Sequence, residues 1–133
     1  MSPEDAGSTV TMNVLQVEHD RLNVLLNQLQ GALGAGADQA ALAEIFEALV
    51  EAARQHFRSE ERHFGVHAYP EAEAHESEHR ALLKVAFHVR DRFAQRSPNA
   101  REEALQLIRE WRQHHDGGSD GKFDGFLAAR SPP

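Results

Sequence analysis

"HFRSEERHFGVHAYPEAEAHESEH", residues 56–79, is the stretch on which the fold turns. At helical period its first half sets His56 and Glu60 four residues apart, and its second half does the same with His75 and His79. Residues at i and i+4 share one helix face, so each pair points at one place. Between the pairs, "YP" (residues 69–70) interrupts the run. Pro70 suits a first helical position, and Glu71 and Glu73 favour the positive end of the helix that follows. Two helices therefore meet at a short turn, with histidine and carboxylate where apolar side chains would ordinarily sit.

The same period extends in both directions. Upstream, Leu42, Phe46, Leu49 and Ala53 lead into His56 and Glu60, predicting a helix over about 39–68 with Asp38 as its N-cap. Downstream, His75, His79, Leu82, Ala86, Val89 and Phe93 form one seam of a helix over about 70–96. A first helix over about 10–33 carries Leu15, His19, Leu22, Leu26, Leu29 and Leu33 in the same rhythm, and "GALGAGAD" (31–38) ends it. "RSPN" (96–99) breaks the chain again. Asn99 then caps a helix over about 99–116, with Ala104, Ile108, Trp111 and His115 inward. "DGGSDG" (116–121) stops that helix, and "KFDGFLAARSPP" (122–133) reads as a short amphipathic end and a frayed tail. Nothing alternates as a strand does. The expectation is an all-α, up-down-up-down antiparallel four-helix bundle forming one domain over 1–133.

Composition narrows the chemistry. A chain of 133 residues can bury roughly two thirds of its unfolded surface in one core. Lys and Arg number 14 against 21 Asp and Glu, a net charge of −7. Nothing basic clusters in the sequence, which makes nucleic acid and anionic membranes poor partners. The absence of cysteine removes disulfides, thiol catalysis, iron–sulfur clusters and thiolate zinc sites together. The N-terminus lacks a basic region followed by an apolar one, and no apolar run reaches the length of a membrane span, so a cytoplasmic protein is expected. The nine histidines are the anomaly.

Each of the four seams carries histidine: His19 on the first, His56 on the second, His75 and His79 on the third, His115 on the fourth. Antiparallel threading lets these positions meet at one depth. Buried imidazoles without partners are costly, and a metal relieves the cost by taking their lone pairs. Five imidazoles with carboxylates exceed what one tetrahedral zinc can use. They suit two ions that share bridging carboxylates, and imidazole with carboxylate suits iron. His114 also fits a seam, with Ala100, Ala104, Leu107 and Trp111.

At this point the sequence resembles the hemerythrins. Residues 56–79 are similar to their H-F-x-x-E-E … Y-P-x-x-x-x-H-x-x-x-H core, and "WRQHHDGGSD" (111–120) to their W-x-x-x-H-x-x-x-x-D. "EHDRL" (18–22) stands at the place of the family's first histidine, so the resemblance runs from about Leu15 to Asp120. It implies two non-haem irons with an oxo or hydroxo bridge. His75, His79 and His115 would fill one iron; His19 and His56 would hold the other and leave a position free. Glu60 and Asp120 would bridge. It also implies reversible binding of dioxygen at the free position, and of small anions such as azide. On this pattern His115 is favoured over His114 by its spacing to Asp120. That step of five is roughly 140° around a helix, and "DGGS" supplies the break that lets the carboxylate turn back.

Three residues depart from the family pattern. Asp116 and Gly117 stand where apolar residues are usual after the fourth-helix histidine, and Phe64 where methionine is common. The expectation is a roomier or wetter oxygen pocket, which favours loss of peroxide and oxidation of the iron. Among the remaining residues, His63 and His67 are expected to be partly exposed and His88 to lie at the surface. Glu61 and Glu78 are expected at the surface or beside a ligand, and Trp111 and Phe93 in the core. Oxygen storage, delivery or scavenging leads the functional readings. Diiron enzymology on peroxide or nitric oxide comes second, and sensing comes third, because no effector segment follows Pro133.

Overall fold

A computed structural model describes the backbone of residues 3–116 and 119–130, and side chains at residue 10 and over 13–114 and 122–129. Five helices follow one another: α1 (Pro3–Gly34), α2 (Gln39–Val66), α3 (Ala72–Ala94), α4 (Ala100–Asp116) and α5 (Ser119–Arg130). The first four pack antiparallel as neighbours in the order α1, α2, α3, α4, with α1 also touching α4. The four-helix bundle expected from the sequence is thus present. To it is added α5, which lies against α1 and α4 where an amphipathic end and frayed tail were expected.

The ends of the helices have local causes. At the end of α1, the Ala37 N–H bonds the Ala32 carbonyl and the Gly36 N–H that of Leu33. Gly36 takes φ +71°, the left-handed conformation that this stop requires and glycine adopts freely. Asp38 then caps α2, its carboxylate accepting the Ala41 N–H at 2.9 Å, as the sequence predicts. α2 ends in the same way at Ala68 and α3 at Arg96, two residues other than glycine with positive φ. Pro70 lies in the turn between α2 and α3 and not in the first turn of α3, which opens at Ala72.

Apolar packing falls into two bodies. The larger runs from Leu22 through Leu33 on α1, with Phe46, Leu49 and Phe57 on α2, Val89 and Phe93 on α3, and Leu107 and Trp111 on α4. The smaller joins Leu15, Phe64, Tyr69, Phe123 and Leu127, so it depends on α5. Between the two bodies lie His19, His56, Glu60, His75, His79 and His114. The gap in apolar packing is therefore a polar layer across the bundle, closed above and below by dry side chains.

Candidate metal centre

Glu60 lies at the middle of this layer with its side chain wholly buried. Its Oε1 is 2.8 Å from His75 Nε2 and 2.9 Å from His79 Nε2. Its Oε2 faces the other way, 3.5 Å from His56 Nε2 and 3.9 Å from His19 Nε2. One carboxylate thus divides its two oxygens between two groups of imidazoles. In the first group Glu60, His75, His79 and His114 each offer a donor atom, all within 4.8 Å of one another; in the second His19, His56 and Glu60 do the same. All of these residues are buried. The rings of His19 and His56 meet edge to face at 4.5 Å, and those of His75 and His79 stand 4.6 Å apart.

Carboxylates outside the layer orient the rings. His56 Nδ1 is 3.1 Å from Glu18, His79 Nδ1 is 2.9 Å from Glu61, and His114 Nδ1 is 3.2 Å from Glu78. A carboxylate that accepts the Nδ1 proton leaves the Nε2 lone pair as the donor and makes the ring more basic. Glu61 and Glu78 thus sit beside ligand-type histidines, one of the two places expected for them. Glu18 was not singled out in the sequence reading, because its partner lies on another helix and no local spacing marks the pair.

Five of the seven residues proposed from the sequence, His19, His56, Glu60, His75 and His79, come together here. The side chains of the other two, His115 and Asp120, lie outside the described residues, as do those of Asp116 and Gly117. On α4 the described histidine that reaches the layer is His114, whose ring is 5.2 Å from that of His75 and 5.6 Å from that of His79. It occupies the alternative seam noted in the sequence.

The walls differ from expectation at two points. Phe64 does not loosen the site. Its ring lies 4.8 Å from that of His75 and meets Phe123 edge to face at 4.7 Å, so the wall on the His75 side is closely packed. His67 is buried and not partly exposed, and burial, with His63 beside it, lowers its pKa below 6.5. His63 is half-buried, its Nδ1 2.7 Å from the Ser59 carbonyl. His88 is at the surface, near Glu103. Trp111 and Phe93 are core, as expected. Phe57 was not foreseen as part of the site: it stacks on His79 at 4.0 Å with the rings 8° from parallel. Burial, reinforced by Glu71, pushes the Tyr69 phenol up to about 12, so Tyr69 remains protonated. A cleft of about 420 Å³ opens past Glu78, Leu82, Glu110 and Lys122 onto His114.

The donors suit a metal. Nitrogen and carboxylate oxygen converge, no thiolate competes, and a carboxylate at Nδ1 of His56, His79 and His114 favours the tautomer that presents the Nε2 lone pair. A helical bundle with a buried histidine–carboxylate layer of this kind defines a cation-binding bundle. The chain belongs to the hemerythrin family: the hemerythrin HHE cation-binding domain matches it over residues 10–123. It is similar to a bacteriohemerythrin of Methylococcus capsulatus, 22% identical over 112 residues that cover 84% of this chain and 85% of that one. It is also similar to a bacteriohemerythrin of Stenotrophomonas maltophilia, 27% identical over 114 residues that cover 86% of this chain and 73% of the relative. Among the described residues no helix is long and apolar enough to cross a membrane.

Proposed function

We propose that the layer holds two iron ions bridged by Glu60 and that the loaded protein binds dioxygen reversibly. The observation that carries this reading is the division of Glu60, with one oxygen toward His75 and His79 and the other toward His56 and His19. On this reading His75, His79 and a histidine of α4 hold one ion, His19 and His56 hold the other, and Asp120 is a second bridge. The ring of His114 stands beside those of His75 and His79, which supports it as the α4 ligand; the five-residue step to Asp120 supports His115. A pair of irons held so would supply reversible two-electron chemistry toward dioxygen and an acceptor for small anions such as azide.

The chain's own contribution is asymmetry and dryness. The half at His19 and His56 offers two imidazoles and the other half three, so the poorer half retains room for an exogenous ligand. Glu18, Glu61 and Glu78 fix ring orientation, while Phe57, Phe64 and Trp111 keep water from both sides of the layer. The relatives named bacteriohemerythrin support the same reading.

The test is metal analysis after anaerobic iron reconstitution, followed by azide titration of the oxidised protein and admission of air to the reduced protein. Two irons per chain, an azide-dependent charge-transfer band and an oxygenated spectrum lasting minutes are expected. One ion or fewer per chain would overturn the dinuclear reading. Decay within seconds accompanied by peroxide turnover would replace oxygen carriage with enzymology at the same centre.

A further inference from the structure

Oxygen binding on the reading above requires the reduced state of a centre that is buried on all four helices, so electrons must reach it from outside. The outer face of α2 has the features of an entry point. Arg54, Arg58 and Arg62 follow one another at i+4 along it, and Val66, three-quarters exposed, ends the row. Arg80 of α3 joins the row across a cleft of about 230 Å³ whose lining includes Arg54, Arg58, Glu61, His79 and Phe57. On the other side of the row a cleft of about 310 Å³ is lined by Glu18, Gln55, Arg58, Ser59 and Arg62. Arg58 borders both.

These four arginines are used differently from Arg92, Arg101 and Arg112, which are tied into the fold. Arg92 forks onto Glu103, Arg101 bonds the Leu33 and Ala37 carbonyls, and Arg112 bonds Asn27 and Gln30. Arg54, Arg58, Arg62 and Arg80 are exposed, and none makes a hydrogen bond or an ion pair among the described residues. The acids lining the same two clefts are Glu18 and Glu61, and each is engaged with the Nδ1 of a histidine of the layer. The clefts therefore present four uncommitted positive charges against two engaged negative ones, on a chain whose net charge is −7. The Ser59 hydroxyl, buried and without a hydrogen-bond partner among the described residues, adds a polar group to the floor of one cleft. The other is lined by an aromatic pair that leads inward, Phe57 stacked on His79.

We propose that this arginine ridge docks an acidic one-electron carrier protein, of the flavin or iron–sulfur type, which reduces the centre through Phe57 and His79. Each encounter oxidises one carrier by one electron, and two encounters take the centre from diferric to diferrous. The proposal rests on the diiron reading. Complementary charge raises encounter rates by 10- to 1,000-fold and loses this effect in salt. A redox carrier is favoured over a second copy of this chain because the cleft between Arg58 and Arg80 is floored by Phe57 and His79 of the layer, a route that only an electron donor would use.

The experiment uses the diferric protein, an acidic plant-type [2Fe–2S] ferredoxin as the probe carrier, and photoreduced lumiflavin as a small uncharged donor. The variants are Arg58→Glu/Arg62→Glu and Arg54→Glu/Arg80→Glu, with Arg109→Glu as a control at a distant exposed arginine. At low ionic strength each double variant is expected to be reduced by ferredoxin at least tenfold more slowly than wild type. The Arg109 control should be unchanged, and lumiflavin should reduce all four proteins equally. Anisotropy titration of oxidised ferredoxin, independent of electron flow, should show the same loss of binding. The difference between variants should shrink sharply in about 0.5 M salt, where the Debye length falls to about 4 Å and long-range steering is screened.

Equal ferredoxin rates in wild type and both double variants would overturn the docking face while leaving the metal centre intact. Salt-sensitive self-association, lost in the variants without any change toward ferredoxin, would also overturn it and assign the ridge to a second copy. Failure of lumiflavin to reduce the wild type would remove the redox centre itself, and the docking face with it.

Discussion

Replacing Glu60 and Glu61 separately by alanine tests the centre at its most specific point, because the two residues are adjacent in sequence and opposite in role. Glu60 is wholly buried and its two oxygens face four imidazoles at 2.8, 2.9, 3.5 and 3.9 Å. Removing it leaves the cation-binding groups of both halves facing each other without the charge between them. Breaking a buried charge pair by removing one partner costs ~3–5 kcal/mol. At about 1.4 kcal/mol per tenfold, that is a loss of roughly a hundredfold to a few thousandfold in metal affinity. Glu61 touches only the far nitrogen of His79 and is partly exposed. Loss of an orienting partner of this kind lowers affinity by about 10- to 100-fold, which leaves both ions bound at micromolar protein and metal. The assay is metal content by mass spectrometry after gel filtration, with chelator competition for affinity and circular dichroism to confirm the fold. Glu60→Ala should retain at most one ion and Glu61→Ala two. If the two variants lose metal equally, or if Glu60→Ala keeps both ions, Glu60 does not bridge and the reasoning from its divided oxygens fails.

The α4 ligand is resolved by comparing His114→Ala with His115→Ala. If His114, whose ring faces His75 and His79, is the ligand, His114→Ala should lose the ion on that side and His115→Ala should keep it; the reverse pattern in metal analysis would assign His115 together with Asp120. Phe123→Ala, at a fully buried position of the smaller apolar body, should cost ~3–5 kcal/mol in denaturant unfolding. It should also speed metal release to a chelator by undocking α5; unchanged release would show that α5 does not cover the centre. His67 predicts a pH dependence. Its folded pKa lies below 6.5, so the unfolded chain takes up its proton first, and stability is complete above 6.5 and falls as pH drops from there toward the folded value. The stability difference between wild type and His67→Asn should therefore shift against wild type between pH 8 and pH 5. A difference that does not change with pH would show that His67 does not titrate as its burial requires.

The sequence by itself determined the four main helices and five of the residues in the polar layer. The reason is periodicity: leucine and histidine at steps of three and four mark one face whatever packs against it, and i,i+4 pairs such as His56 with Glu60 and His75 with His79 need no tertiary information to converge. Asp38 as a cap was legible for the same local reason. That the ring of His114 reaches the layer was not decided this way, since adjacent residues on a helix both border the inward face and spacing alone does not choose between them. Nor could sequence show that Phe123 and Leu127 fold back over the layer, because a short segment after a glycine-rich break is helical only if a surface receives it. The pairings of Glu18 with His56 and Glu61 with His79 join different helices, so no spacing announces them. The same holds for charge. Along the chain no basic run is visible, yet the arrangement of α2 beside α3 brings Arg54, Arg58, Arg62 and Arg80 around clefts that lead to the centre, because electrostatic fields add in space and not along the sequence.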